Sequence, residues 1–466
     1  MRRYNIRELG PSILVAALGS AFGVAVLEAS GILAQLIMAD DVTGSSGTVS
    51  LMLSIVAIVF IAIAIYVGAI VTANTFSTII AGRTRTIALL RLVGSSAAAQ
   101  RRSVAREGLV VGVLGSLLGA IAGVLLAMVA VAIGQAAGFL PPLAYGFADP
   151  IIALPIVAVV LTTWLASWVG SRRVLVVSPM QATGNAVEAG FETAVARKGR
   201  TATAVTLFLI GFALLVLGML VGLVNPLGVL IGVAGGILSF TGLVLGADVV
   251  MPPALRLAGR MFGRSAPARL ASENALRYPE RSSRTTIGVV IGVTLVTMFA
   301  VTVESFQTII RVQQQEQPEI YQGTDQVLVV VVVVFSVLMG FSALIAAVGM
   351  VNNLSLSVLQ RGRELGLIRA LGFTASQVRR MILVESAQLT SAAVLVGLVL
   401  GIFYGWAGAQ SFLGSIDGDP GFVMPVVPLP LLGIVVIAAV VLTIAASIAP
   451  SRRATRVSPV AALAVE

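Results

Sequence analysis

NTFSTIIAGRTRTIALLRLVGSSAAAQRRSVARE (residues 74–107) and NNLSLSVLQRGRELGLIRALGFTASQVRRMILVE (residues 352–385) are two versions of one segment, aligned without a gap at an offset of 278. Asn74 falls on Asn352, Arg83 on Arg361, Arg85 on Arg363, Arg91 on Arg369, Gly94 on Gly372 and Glu107 on Glu385. Apolar stretches resemble one another by chance, but charged residues and glycine held in register do not. Further along the chain the offset becomes 280, where SRRVLVVSP (171–179) meets SRRATRVSP (451–459). Towards the start it becomes 276, and Glu28 in VLEAS meets Glu304 in TVESF. Each two-residue slip fits an insertion in a loop, so the chain holds two copies of one unit.

The material between these segments belongs to a membrane. Of 466 residues 58% are hydrophobic and 11% charged, and the mean hydropathy is +1.03; a soluble domain carries about 25% charged residues. Apolar runs fall at 11–37, 50–80, 107–137, 151–170, 203–224, 227–249, 285–310, 326–353, 382–410 and 428–449. A spanning helix needs roughly 20 apolar residues, so ten transmembrane helices are expected. The first run follows Arg2, Arg3 and Arg7 but is too long for a signal-peptide core, and no small-residue cleavage site follows it; it reads as a retained helix.

The loops sort by charge. Of the 30 Lys and Arg residues, only Arg311 falls in the loops 38–49, 138–150, 225–226, 311–325 and 411–427. Those loops carry Asp40, Asp41, Asp149, Glu316, Glu319, Asp325, Asp417 and Asp419. The arginine-rich set, with both termini, is therefore expected in the cytoplasm, and the net charge of +10 is a topology signal rather than a nucleic-acid footprint. The expected fold is an all-α polytopic membrane protein. A first four-helix unit occupies 1–180, a linker with a two-helix hairpin 181–265, and a second four-helix unit 266–466. Six spans separate the two starts, so the units are parallel repeats.

Between the second and third spans of each unit, a charged amphipathic helix leaves the membrane, meets a glycine and returns as a second helix. Gly372 suits the left-handed residue that closes a helix, and Thr374-Ala-Ser-Gln377 reads as a capping box opening the next. In the first copy Gly94 is followed by Ser95 and Ser96 as candidate caps, without the reciprocal glutamine. The product is a rigid elbow at the inner membrane face, and its duplication makes it a docking element rather than a stop-transfer loop. Glu28 and Glu304 are matched carboxylates towards the outer side of spans 1 and 7, where each costs roughly 2.5–3.5 kcal/mol to insert; they either line a polar surface shared by the halves or reach the outer interface. Gly115, Gly119 and Gly123 in span 3, and Gly397, Gly401 and Gly405 in span 9, carry the four-residue spacing that lets helices approach closely.

Much chemistry is excluded. There is no cysteine and no histidine, hence no disulfide, no Cys/His zinc site, no thiol nucleophile and no conventional catalytic triad. No G-x-x-x-x-G-K-[ST] occurs, and the single lysine, Lys198, sits in Arg-Lys-Gly-Arg. Without a P-loop, any ATP and Mg²⁺ would be held by another chain, and no cofactor or metal is expected on this one.

The pattern R-x-R-E-x-G-x-x-R-A-x-G in RGRELGLIRALG (361–372), with Glu385 at the next span, resembles the FtsX-like permease family of ABC transporters, the type VII group that includes macrolide-exporter and bacitracin-resistance permeases. ENALRYPERSSRTT (273–286) and the closing Ser458-Pro459-Val460-Ala461-Ala462 are similar to that family too. The resemblance spans both repeats. It implies a bacterial plasma-membrane subunit whose elbows contact a separate cytoplasmic ATPase, with two ATPase copies beneath one ten-span chain. The residues it implicates are Arg361, Glu364, Arg369, Gly372 and Glu385, with Arg83, Arg91, Gly94 and Glu107 as their partners in the first copy. Two departures stand out. Thr86 occupies the place of Glu364, and the loops 38–49 and 311–325 are short where many members carry a large extracytoplasmic domain.

Three functions follow as expectations. The first is a permease exporting a hydrophobic or amphiphilic compound such as a drug, antimicrobial peptide or lipid, which can enter from the bilayer without an external domain. The second is a sensory permease that transmits ATPase strokes to a membrane partner. The third is a secondary transporter that uses Glu28 and Glu304 with an ion gradient and has no ATPase.

Overall fold

The computed structural model describes residues 6–38, 93–138, 140–147, 149–171, 198–262, 265–277, 279–316, 367–415 and 421–456, with scattered positions between 55 and 90 and between 332 and 348. Everything described is helix or connection, with no strand among these residues. The helices are α1 (Ile6–Met38), α2 (Ile58–Val71), α3 (Ala97–Ala136), α4 (Ala153–Gly170), α5 (Lys198–Gly222), α6 (Gly228–Leu245), α7 (Ala247–Gly259), α8 (Ala266–Arg277), α9 (Pro279–Glu316), α10 (Ala375–Leu413) and α11 (Leu429–Arg456).

Seven of them, α1, α3, α4, α5, α6, α9 and α10, are long and apolar enough to cross a bilayer, and shorter apolar stretches occur at Ile58–Val71 and Leu429–Val441. The chain is an all-α polytopic membrane protein. The run expected at 326–353 lies for the most part outside the described residues. Three expected boundaries move. The helices of spans 3 and 9 begin at Ala97 and Ala375, before the runs at 107 and 382, because elbow helix and span are one continuous helix. The sixth span ends at Leu245 rather than 249: Gly246 breaks it, and Asp248 pairs with Arg200 at 3.0 Å, a charged contact that belongs at the membrane edge.

Burial separates inner helices from outer ones. The apolar windows of α1 and α9, the first helix of each repeat, are 72% and 89% buried, whereas those of α3, α4 and α5 are mostly exposed. Rows of outward Leu, Ile and Val on α3, α4 and α5 are stable there because their solvent is lipid. The halves join in a matched way. Phe60 of α2 meets Phe299 of α9 edge-on at 6.1 Å, and Phe22 of α1 meets Phe341 at 6.3 Å. Under the repeat offsets Phe22 falls next to Phe299, and Phe60 falls about one helical turn from Phe341. The first helix of each unit thus meets the second-helix segment of the other, as a pseudo-twofold axis requires.

The hairpin α5–α6 has no counterpart in either repeat. Its helices are zipped by Gly211, Gly218, Gly235 and Gly242, where an added Cβ would collide with the facing backbone. It lies across the seam of the halves: Thr241 and the Tyr66 hydroxyl of α2 are hydrogen-bonded at 2.9 Å, as are Ser239 and the Tyr404 hydroxyl of α10. Phe212 also stacks on Phe403 at 5.7 Å.

Candidate functional site: two elbows and the helices behind them

The second elbow is built from two opposed caps. Its outgoing helix closes with Phe373 N–H donating to the Ile368 carbonyl (3.2 Å) and Gly372 N–H to the Arg369 carbonyl (3.1 Å), and Gly372 has φ +102°. This is the Schellman pattern, completed by apolar contact: Ile368 and Phe373 pack against one cluster with Ala271, Val378, Met381 and Ile382. Two residues later the return helix opens. Gln377 N–H donates to Thr374 Oγ1 (3.3 Å), and Thr374 N–H donates to Gln377 Oε1 (2.9 Å), a full capping box. The chain reverses within a few residues and almost no backbone group is left unpaired.

The first elbow repeats the plan with other side chains. Gly94 has φ +96°, and Ser95 N–H donates to the Leu90 carbonyl (3.0 Å). Of the two candidate caps, Ser96 is the N-cap, accepting from Ala99 N–H at 3.1 Å. Ser95 is not a cap: it stands one place too early, where the Schellman turn ends, and its hydroxyl accepts from Gln100 Nε2 at 2.8 Å.

The elbow tips carry a feature that sequence reasoning passed over. Leu371 is 77% exposed and Leu367 50%; at the matching positions Val93 is 88% exposed and Leu89 48%. Each pair is spaced i, i+4, so the two side chains share one helix face. Both elbows therefore present an apolar knob, side by side on the last turn before the glycine. The signal was present as IALLRLV against LGLIRAL, but an amphipathic pattern shows that a face is apolar and not whether the fold covers it.

Behind each elbow stands a long lever. The helices α3 and α10 have 40 and 39 residues and no internal proline, so each is about 60 Å long at 1.5 Å per residue and reaches from elbow to opposite membrane face. Both are held at close range by their glycines. A Cβ on Gly119 would strike the Ala17 carbonyl oxygen, and on Gly115 and Gly123 it would meet Ala16 and Val24 of α1. On Gly397, Gly401 and Gly405 it would meet Val293, Thr297 and the Met298 carbonyl of α9. Ala17 and Val293, opposite Gly119 and Gly397, are themselves repeat partners at offset 276, so the lever in each unit lies on the same face of the same inner helix.

Arg369 and Glu107 are half-buried at the neck of their elbows, and Glu385 is buried. Arg83, Arg91, Arg361 and Glu364 lie outside the described residues. A further residue, Arg101, was not anticipated. Its Nε donates to Ser171 Oγ at 3.2 Å and its guanidinium sits 4.5 Å over the Trp168 ring, joining the start of the first lever to the end of α4. The repeated Ser-Arg-Arg at 171–173 and 451–453 was its one sequence trace.

The paired carboxylates are not equivalent. Glu28 is buried, and its Oε1 has no hydrogen-bond partner among the described residues; Glu304 is half-buried. Neither lines the main interhelical cavity, a space of about 390 Å³ bordered by α2, α5, α6, α9 and α10. No cluster of Asp and Glu able to hold a metal occurs among the described residues.

Comparison with known proteins agrees with this arrangement. The family model described as FtsX-like permease C-terminal matches residues 58–179 and again 336–459, together just over half of the chain. The chain is 32% identical over 111 residues to the uncharacterized ABC transporter permease YknZ of Bacillus subtilis (strain 168), covering 24% of this chain and 27% of that protein. It is 27% identical over 129 residues to the ABC transporter permease YtrF of the same organism, covering 26% and 30%. It is 31% identical over 138 residues to the macrolide export ATP-binding/permease protein MacB of Rhodopirellula baltica, covering 28% and 18%. The matched stretches thus span less than a third of each of these relatives.

Proposed function

The chain belongs to the FtsX-like permease family, and from that premise we propose that it is the membrane subunit of an ABC transporter, exporting a hydrophobic or amphiphilic compound under the drive of a separate cytoplasmic ATPase. The observation that carries this reading is the matched pair of apolar knobs, Leu367 with Leu371 and Leu89 with Val93, each on a doubly capped elbow at the root of an unbroken helix. An exposed apolar pair on a stiff projection is a plug for a socket, and two plugs related by a pseudo-twofold axis fit two copies of one motor. This chain carries no P-loop, so in this reading ATP and Mg²⁺ are bound by those partners.

The domain plan is part of the proposal: units 1–180 and 266–466 each seat one ATPase, and the hairpin within 181–265 joins them. Of the residues assigned to motor contact, Arg369 is half-buried beside the second knob, and Glu107 and Glu385 lie further along α3 and α10; Arg83, Arg91, Arg361 and Glu364 are assigned with them on the repeat and the family motif alone. The arginine-rich loops support a cytoplasmic setting for the elbows, and in this reading the membrane above them is a bacterial plasma membrane. In catalysis the closing ATPase pair would swing the two elbows, and α3 and α10, packed tightly on α1 and α9, would carry the motion to the outer half of the bundle.

The direct test is reconstitution. The chain is purified with a candidate P-loop ATPase from its own organism, and ATP-dependent movement of a fluorescent amphiphile is followed in proteoliposomes. Transport that needs ATP and survives a protonophore is expected. Transport that collapses with the protonophore and ignores ATP would point instead to an ion-driven carrier.

A further inference from the structure

One interhelical space has a wall that neither repeat supplies. Its volume is about 390 Å³, within the usual size of a small-molecule site. Residues Phe60 and Tyr66 come from α2, Thr294 and Phe306 from α9, and Tyr404 and Phe412 from α10; the hairpin closes it through Gly236 and Phe240 of α6. No charged side chain lines it among the described residues. It lies at the end of α10 far from the elbow: Tyr404 to Leu413 border it, whereas the elbow opens at Thr374. At 1.5 Å per residue that is about 45 Å away.

Five hydroxyl groups interrupt the apolar lining, those of Tyr66, Thr294, Thr302, Tyr404 and Ser411. Those of Tyr66 and Tyr404 are each shared with a hairpin residue, Thr241 and Ser239, at 2.9 Å. Thr294 is 3% exposed, yet its Oγ1 has no hydrogen-bond partner among the described residues. Thr302 on the same helix shows the ordinary alternative, donating to the Met298 carbonyl at 2.8 Å. A buried hydroxyl without a partner carries a desolvation cost, which a ligand's polar atom would relieve. The remaining wall would forfeit dispersion contacts if it stayed empty.

We propose that this cavity, completed by the inserted hairpin, binds one uncharged apolar chain, with a neutral hydrogen-bonding group of that ligand meeting Thr294. Charged head groups, ions and peptide termini are rejected because nothing in the lining could pair with them. The occupant has either of two sources, an acyl chain of resident membrane lipid or the apolar part of the transported amphiphile, and the chemistry is the same. Because the hairpin has no repeat partner, the site is single in a molecule otherwise built double. It does not depend on the motor, and its test uses no ATP.

The test is photolabelling of the full chain in nanodiscs, with two probes used separately: a diazirine-bearing long-chain alcohol and a diazirine-bearing phosphatidylcholine. Adducts are mapped by mass spectrometry. Expected adducts fall on the segments 228–245, 285–306 and 404–413. Adducts there with the alcohol alone mean a single-chain amphiphile; adducts there with both probes mean that a lipid chain enters. Gly236 and Gly408 both line the space, and an added Cβ at either meets nothing within 4 Å. Gly236→Phe and Gly408→Phe should therefore fill the cavity in a folded protein and lower adduct yield roughly tenfold, while labelling of the lipid-facing helix α3 stays constant. Adducts spread evenly over lipid-facing helices, or yields at the cavity unchanged by both substitutions, would overturn the proposal.

Discussion

At the elbow a single backbone angle matters more than any side chain. Gly372 holds φ +102° and Gly94 φ +96°, the two helix-closing glycines of the repeats. A β-branched residue in that conformation costs about 1–2 kcal/mol, whereas asparagine tolerates it. Gly372→Val should shift the elbow roughly 5- to 30-fold towards an unwound form, and hydrogen exchange across 367–381 should accelerate accordingly. Gly372→Asn should stay near the parent. Equal protection in both variants would mean that the turn is held by its surroundings rather than by this residue. Thr374→Ala removes the hydroxyl that accepts from Gln377 N–H and should cost about 1 kcal/mol, read as faster exchange in the first turn of α10. Both glycines and the Thr-x-x-Gln box were legible in the sequence because capping is local chemistry. Arg101 was not, because its partners Trp168 and Ser171 lie at the end of another span, and pairing across spans leaves no mark in local spacing.

Among elements, the levers are defined by what lies against them. Glycines at four-residue spacing predicted a close helix partner, but not which helix; the structure identifies α1 for α3 and α9 for α10. Gly401→Leu would drive a side chain into Thr297 and the Thr294 carbonyl, at a cost of about 1–3 kcal/mol from overpacking. The thermal unfolding midpoint in detergent should fall. Gly433→Leu, at a helical glycine with nothing within 4 Å, should leave it unchanged. A fall of equal size in both variants would remove the idea that the stripe sets the helix spacing. The membrane-spanning character and the repeat were legible because hydropathy and in-register charge are properties of the chain itself. The cavity was not: its lining comes from both repeats and the hairpin, and the hydroxyls of Tyr66, Thr294 and Tyr404 become a set only after packing.

The whole molecule is double in plan and single in its hairpin, and its second elbow is braced from beneath. Helix α8 contributes Leu270 and Ala271 to the cluster holding Ile368, Phe373 and Met381. Met381, fully buried, should on truncation to alanine cost about 2–5 kcal/mol and loosen only the second elbow. Exchange should rise across 367–384 and not across 93–105.

The central claim is that the apolar elbow tips receive force from an ATPase. It is tested most directly by measuring the ATPase activity of the co-purified motor in nanodiscs with Val93→Asp, Leu371→Asp and the two combined. A charge placed where a buried aliphatic side chain is required should weaken motor binding roughly tenfold or more at each elbow. Each single variant should keep partial stimulation and the double variant none. Met261→Asp, at an exposed residue off the elbows, should behave as the parent. A double variant that binds and stimulates the motor at the parent level would contradict the account.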